Sequence, residues 1–163
     1  KQNYPIKLYV HTPNVNGVTL SGSGIIDLGE VNTTTLDVVL SGSGDIRGSV
    51  AATDISVDIN GSGSANMCMI CNNLETYISG SGDMLFNGSA TTAHFNVNGS
   101  GAIKAYNLTL KYCYVNISGS GDMFVNVSDL LDITISGSGS VHYIGQPTIN
   151  LNISGSGSVI NSN

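Results

Sequence analysis

The sequence predicts an all-β fold, a single-domain parallel β-helix, and three observations carry that expectation. A four-residue phrase, [Ser/Asn]-Gly-Ser-Gly, recurs eight times in 163 residues, beginning at Ser21, Ser41, Asn60, Ser79, Asn98, Ser118, Ser136 and Ser154. The steps between copies are 20, 19, 19, 19, 20, 18 and 18 residues, the near-constant period of a solenoid. Apolar and polar residues alternate on both sides of every copy, which is the period of a strand with one buried face.

Taken in order, residues 1–14 read as a lead-in strand, 15–157 as the repeats and 158–163 as the C-terminal end. The position just before the phrase is always a branched aliphatic: Leu20, Leu40, Ile59, Ile78, Val97, Ile117, Ile135 and Ile153. Two residues earlier stand Val18, Val38, Val57, Thr76, Phe95, Val115, Ile133 and Leu151. Two residues after the phrase the column runs Ile26, Ile46, Ala65, Met84, Ile103, Met123, Val141 and Val159. Counting in twos from Ile78 through Gly80 and Gly82 to Met84 puts both glycines on the inward parity. The phrase therefore reads as a pinched corner where the interior has no room for a side chain, with its serines facing out. Each copy takes 13 residues for a bent double strand. Five to seven residues, such as Cys68–Asn73, Asn87–Thr92 and Asn126–Leu130, connect it to the next. Stacking such coils about 4.8 Å apart gives eight rungs of 18–20 residues. Right-handed winding is expected from the general bias of parallel crossovers.

Composition narrows the function classes. Five Lys and Arg against eleven Asp and Glu give a net charge of −6. That balance lacks the basic footprint that a phosphate backbone or an anionic membrane surface requires. No apolar run approaches the roughly 18 residues of a spanning helix. The chain opens mid-pattern at Lys1-Gln2-Asn3, as a mature or trimmed fragment whose signal segment has been removed would.

Little of the chemistry-bearing text rises above the repeat. Cys68-Met69-Ile70-Cys71 has the spacing of a redox or zinc pair, yet no helix start or second pair accompanies it. Packed thiols are the expectation for these cysteines and for Cys113. Asp follows only three of eight phrases, and the period is twice that of a calcium-binding β-roll, so no metal or other cofactor is expected. Catalysis would need clustered carboxylates with bases beside them, whereas the bases are scattered. The register does assemble one surface. Outward columns ahead of the phrase place Glu75, His94 and Tyr114 side by side, with Asp58, Tyr77, Asn96 and Asn116 in the adjacent column. Aromatic faces, amides and a carboxylate are what a flat sugar-binding surface uses.

The recurrent SGSGD-apolar phrase, Ala105-Tyr106-Asn107-Leu108 and the closing Val141-His142-Tyr143-Ile144-Gly145-Gln146-Pro147 resemble the head GIN domain family. The resemblance runs from about Lys7 to the C-terminus. It implies a β-helical protein exported to the periplasm, outer membrane or cell surface, of a kind abundant in Bacteroidetes and named for an autotransporter-adhesin head. Members usually carry a further segment before the strand that resembles Lys7–Val10, so the first rung here is expected to be uncapped and prone to self-association. The functional expectation is a non-catalytic adhesive or structural module with a glycan or cell-surface protein as partner. Two alternatives remain: a carbohydrate-active β-helix enzyme, marked by a groove with two carboxylates, and an ice-binding solenoid using the serine ladders.

Overall fold

Strand alternation this regular must bury one face of every strand, and the repeat period decides against what. In the computed structural model, which describes residues 6–163, each strand lies parallel to its counterpart one repeat away. The strands are β1 (Gly17–Gly22), β2 (Ile25–Asn32), β3 (Thr35–Gly42), β4 (Asp45–Ala51), β5 (Asp54–Gly61) and β6 (Ser64–Gly80), followed by β7 (Asp83–Gly99), β8 (Ala102–Gly119), β9 (Asp122–Gly137), β10 (Ser140–Ile144), β11 (Thr148–Gly155) and β12 (Ser158–Asn161). The result is a β-solenoid of about eight turns with no helix among the described residues. Among the described residues, therefore, no helix is long and apolar enough to cross a membrane.

The aligned columns are the observed register. Ile59, Ile78, Val97, Ile117 and Ile135 stack in one line, as do Val57, Thr76, Phe95, Val115 and Ile133. These inward columns are fully buried from Leu36 to Val141, each large side chain contributing about 1.5–3 kcal/mol. Phe86 and Phe95 stack across the interior with centroids 6.5 Å apart. One polar residue joins them: Thr76 is fully buried and its hydroxyl has no partner.

The corner explains why the phrase uses two glycines, and the reasons differ. Gly82 is inward, as the parity required. A Cβ there would lie 2.5 Å from Cγ2 of Ile59 and 2.8 Å from the Gly63 carbonyl oxygen of the turn below. The methyl branch of the residue before one phrase thus fills the space that the second glycine of the next leaves open. Gly80 is only half-buried and is glycine for another reason. Its φ is 128°, and a Cβ would stand 2.5 Å from the Gly61 carbonyl oxygen, which accepts the Ser81 N–H at 2.9 Å. Backbone crowding between turns, rather than a narrow interior, excludes a side chain at Gly80.

Two expectations need correction. The connections between copies are themselves laddered strand in the middle of the coil, where β6 to β9 run 16–18 residues from one phrase to the next. Cys68 pairs with Asn87, and Asn73 with Thr92, so the alternation continues where a link was expected. Towards the C-terminal end the strand does break, between β10 and β11, where Pro147 has no N–H to donate. The lead-in strand is also absent across residues 6–14, although Ile6-Lys7-Leu8-Tyr9-Val10 alternates like one; residues 1–5 lie outside the described ones. Alternation alone forms no strand without a neighbour to bond, and β1 pairs only with β3.

Along the corner, the residue after each phrase avoids stacked carboxylates. Asp45 is followed one turn on by Ser64, whose hydroxyl donates to the Asp45 carboxylate at 2.5 Å. Two adjacent Asp would repel there.

The lock between Gly82 and Ile59 is testable. Gly82→Val should cost at least about 3 kcal/mol, because the Gly63 carbonyl cannot yield. Ser81→Thr, on the outward position beside it, should stay within about 0.5 kcal/mol. Urea denaturation of the two variants measures the difference, and equal midpoints would overturn the packing described.

Candidate functional site

Parallel stacking in register carries any outward residue next to its counterpart on the neighbouring turns. Ahead of the corner, Ser56, Glu75, His94, Tyr114 and Asp132 form one outward column. Asp58, Tyr77, Asn96, Asn116 and Thr134 form the next. All six candidate residues, Glu75, Tyr77, His94, Asn96, Tyr114 and Asn116, are therefore contiguous on the three successive turns that lead into the fourth, fifth and sixth copies of the phrase. Tyr77 and Tyr114 remain 46% and 36% exposed, and Asn96 is half-buried.

The side chains are tied to one another. The His94 and Tyr114 rings stack with centroids 4.6 Å apart and planes 7° from parallel, close to the spacing of the strands that carry them. The Tyr77 hydroxyl donates to Glu75 Oε1 at 2.5 Å along the same strand, a bond that holds the phenol neutral and pushes its pKa up. Asn96 Nδ2 donates to the Thr76 carbonyl at 3.2 Å. A shallow groove passes beside Tyr77, lined by the amides of Asn60, Asn96, Asn98 and Asn116.

The face is acidic. Asp37, Asp54, Asp58, Glu75 and Asp132 stand in its columns, and no lysine or arginine does. Asp37, Asp54, Glu75 and His94 line a second shallow depression. Asp54 Oδ1 accepts from Asn73 Nδ2 at 2.7 Å. No group of His, Cys, Asp and Glu among the described residues has the geometry to hold a metal ion. Asp58 is half-buried and its Oδ1 is sealed without a partner. Burial pushes its carboxyl up, and the nearby Glu75 and Asp37 carboxylates add to the effect.

The thiols divide by parity. Cys71 and Cys113 face inward, as expected of packed thiols, and burial pushes both up, Cys71 to about 11 with a further contribution from Asp54. Cys68 is exposed, contrary to the expectation of packing, because an offset of three along a strand places it on the opposite side from Cys71. All three are free, and a zinc or redox pair is not formed.

Two groups of surface residues escaped the sequence reading. Tyr112, 40% exposed, extends the patch by one outward column. It stood where a connection was expected, and continuing the alternation two residues back from Tyr114 would have found it. Tyr106, Phe124 and His142 form an aromatic row on the face after the corner. The columns there were aligned only for inward positions, and alignment on the phrase puts Lys104 rather than Tyr106 beside Phe124.

Asp58 gives the face a pH signature. Its folded-state pKa lies above the ordinary 3.8, so its favourable contribution is present below that value and lost as pH rises through the folded pKa. Asp58→Asn should therefore be more stable than the parent at pH 7, with the advantage gone near pH 3. Urea midpoints at the two pH values check it; an advantage independent of pH would remove the carboxylate as the cause.

Comparison with known proteins now places the chain. No curated protein matches it. A crystal structure from Parabacteroides distasonis ATCC 8503, of a protein described as a "Putative lipid binding protein", superposes with a TM-score of 0.86 at 32% identity. The match covers 89% of this chain and 61% of that one, so this chain spans about three-fifths of that protein. The model of the family described as "Putative auto-transporter adhesin, head GIN domain" matches residues 1–67 and 54–147. With most of its length matched, and with the repeat architecture that the residues themselves build, the chain belongs to the head GIN domain family.

Proposed function

We propose that this chain is a non-catalytic binding module, exported and displayed at a cell surface, that recognises neutral oligosaccharide through the outward columns ahead of the corner. The observation that carries this reading is the flat ladder of exposed rings and amides running from Tyr77 to Tyr114 across neighbouring turns. Sugar rings stack on aromatic faces while amides bond their hydroxyls. The five carboxylates of the face disfavour anionic glycans. The family's description as an adhesin head supports display and adhesion. An open face buries little area, so affinity per site should be in the micromolar to millimolar range, with many displayed copies supplying avidity.

A catalytic reading has one observation in its favour, the depression lined by Asp37, Asp54, Glu75 and His94. Against it, Glu75 accepts from Tyr77, Asp54 from Asn73, and His94 is stacked on Tyr114. The one carboxyl that burial pushes up, Asp58, is not among the lining residues. Ice binding fares less well: the serine ladders flank a bend rather than a plane. Lipid binding is the description of the Parabacteroides protein. Here apolar side chains fill the inward columns, so an acyl chain would have to lie on the outside.

Association through the open N-terminal end belongs to the same proposal. β1 and β2 each bond a neighbour on one edge only, and Ile6, Leu8 and Val10 beside them are exposed. Light scattering should show mass rising with concentration, and a monomer at millimolar concentration would count against it.

A glycan array with the intact domain tests the main reading. Binding should be confined to neutral glycans and lost with Tyr77→Ala/Tyr114→Ala. Binding that survives the double substitution, or none by the intact domain, would overturn it.

A further inference from the structure

On the face after the corner, outward residues should be polar, because water covers them. The outward column there runs Arg47, Asn66, Leu85, Lys104, Phe124 and His142 in register, with apolar Leu85 and Phe124 on either side of Lys104. Leu85 is 39% exposed. The ladder is also broken at this point. Between β7 and β8 the register steps from Leu85↔Lys104 to Asn87↔Asn107, and between β8 and β9 from Ala105↔Val125 to Thr109↔Asn126. Residues 106–108 therefore have no partner on β9, and β8 carries one extra residue against β7, where Asn107 and Leu108 remain paired. Asn126 Nδ2 donates to the Tyr106 carbonyl at 3.3 Å and pins the bulge. Bulges of this kind re-aim side chains. Here the Tyr106 ring meets Phe124 edge-on at 5.5 Å, and Phe124 stacks on His142 at 4.9 Å.

The outcome is a depression of about 300 Å³ lined by Leu85, Lys104, Tyr106, Asn107 and Phe124, at the small end of ligand pockets. Its walls are almost entirely carbon. Its lining side chains that carry a polar end are Lys104, Tyr106 and Asn107, and Lys104 is the one cation among them. Among the described residues the one ion pair joins Arg47 to Asp27, so Lys104 has no carboxylate partner in a chain of net charge −6. The nearest carboxylates by register, Asp83 and Asp122, stand one outward position towards the corner and form no pair with it. A sugar ring needs several polar partners around its edge, which this depression lacks. An apolar chain ending in a single negative charge matches both its walls and its unpaired cation.

We propose that the bulged depression on β8 binds a single-chain anionic amphiphile of the fatty-acid class, its chain against Leu85, Tyr106 and Phe124 and its carboxylate on Lys104. The site lies on a different face from the Tyr77–Tyr114 patch and does not depend on it.

The test titrates the intact domain with laurate, and separately with dodecyl maltoside, which has the same tail and a neutral head, both below their micellar concentrations. Amide shifts in two-dimensional NMR should saturate and centre on Leu85, Lys104 and Asn107. Lys104→Gln should weaken laurate about tenfold and leave dodecyl maltoside unchanged. Phe124→Ala should weaken both; if that variant loses its dispersed spectrum, Leu85→Asn serves in its place. Absence of saturable shifts, shifts centred on the Tyr77–Tyr114 face, or an equal response of both amphiphiles to Lys104→Gln would overturn the proposal.

Discussion

Contact between one corner and the next is the constraint on which the coil depends. Each first-glycine carbonyl accepts a serine N–H from the turn above, and nothing larger than hydrogen fits over it. Each second glycine leaves a space that a methyl branch from the turn below occupies. The two conditions are satisfied together from the second corner to the last, so the corner works as a repeated register clamp. Slipping one turn by a single residue would drive a serine side chain into a backbone oxygen. That steric exclusion specifies register more firmly than hydrophobic pattern alone, which β-strands can satisfy in several alignments.

A clamp on one corner leaves the rest of the circumference free to vary. Turn lengths of 18–20 residues are accommodated without disturbing the corner, because the surplus is shed on the strand that follows it. Gly29 takes up the extra residue opposite Arg47–Ser49, with φ at 62°, and Tyr106–Leu108 the surplus on β8. The strand before the corner keeps an unbroken ladder from β3 to β9. One face is consequently flat and periodic, and the other indented. Surface chemistry follows this division.

How much of this could be read from residues depended on how far strict alternation reached. The inward columns at Ile59, Ile78 and Val97 were legible because a strand with a buried face leaves no freedom in parity. Placement of Glu75, His94 and Tyr114 side by side followed from the same count. Gly80 was misread because parity reports direction and not backbone conformation: a positive φ looks like any other glycine in a sequence. Cys68 and Tyr112 were misplaced because small and polar residues between copies resemble loop text, although their backbones are bonded on both edges in the middle turns. The Tyr106–Phe124 contact was beyond reach, since alignment on the phrase pairs Phe124 with Lys104 and the contact arises only where β8 breaks register with β9.

The flat face has no cation in its columns, whereas the indented face has Arg47 and Lys104 beside Asp45, Asp83 and Asp122, and that difference separates the two binding proposals physically. Carboxylates at Asp37, Asp54, Asp58, Glu75 and Asp132 set a negative potential over the flat face, where a long, weakly held neutral ligand loses least. Lys104 stands on the indented face with its ammonium unpaired, and there a carbon-lined recess repays desolvation of an acyl chain. Neither ligand class suits the other surface: an anion meets repulsion on the first, and a sugar finds too few hydrogen-bonding groups on the second. A solid coil can hold nothing inside, so its chemistry is confined to what stacks on its faces. The positions where stacking is perfect and where it is interrupted are accordingly the two places where a ligand has something to recognise.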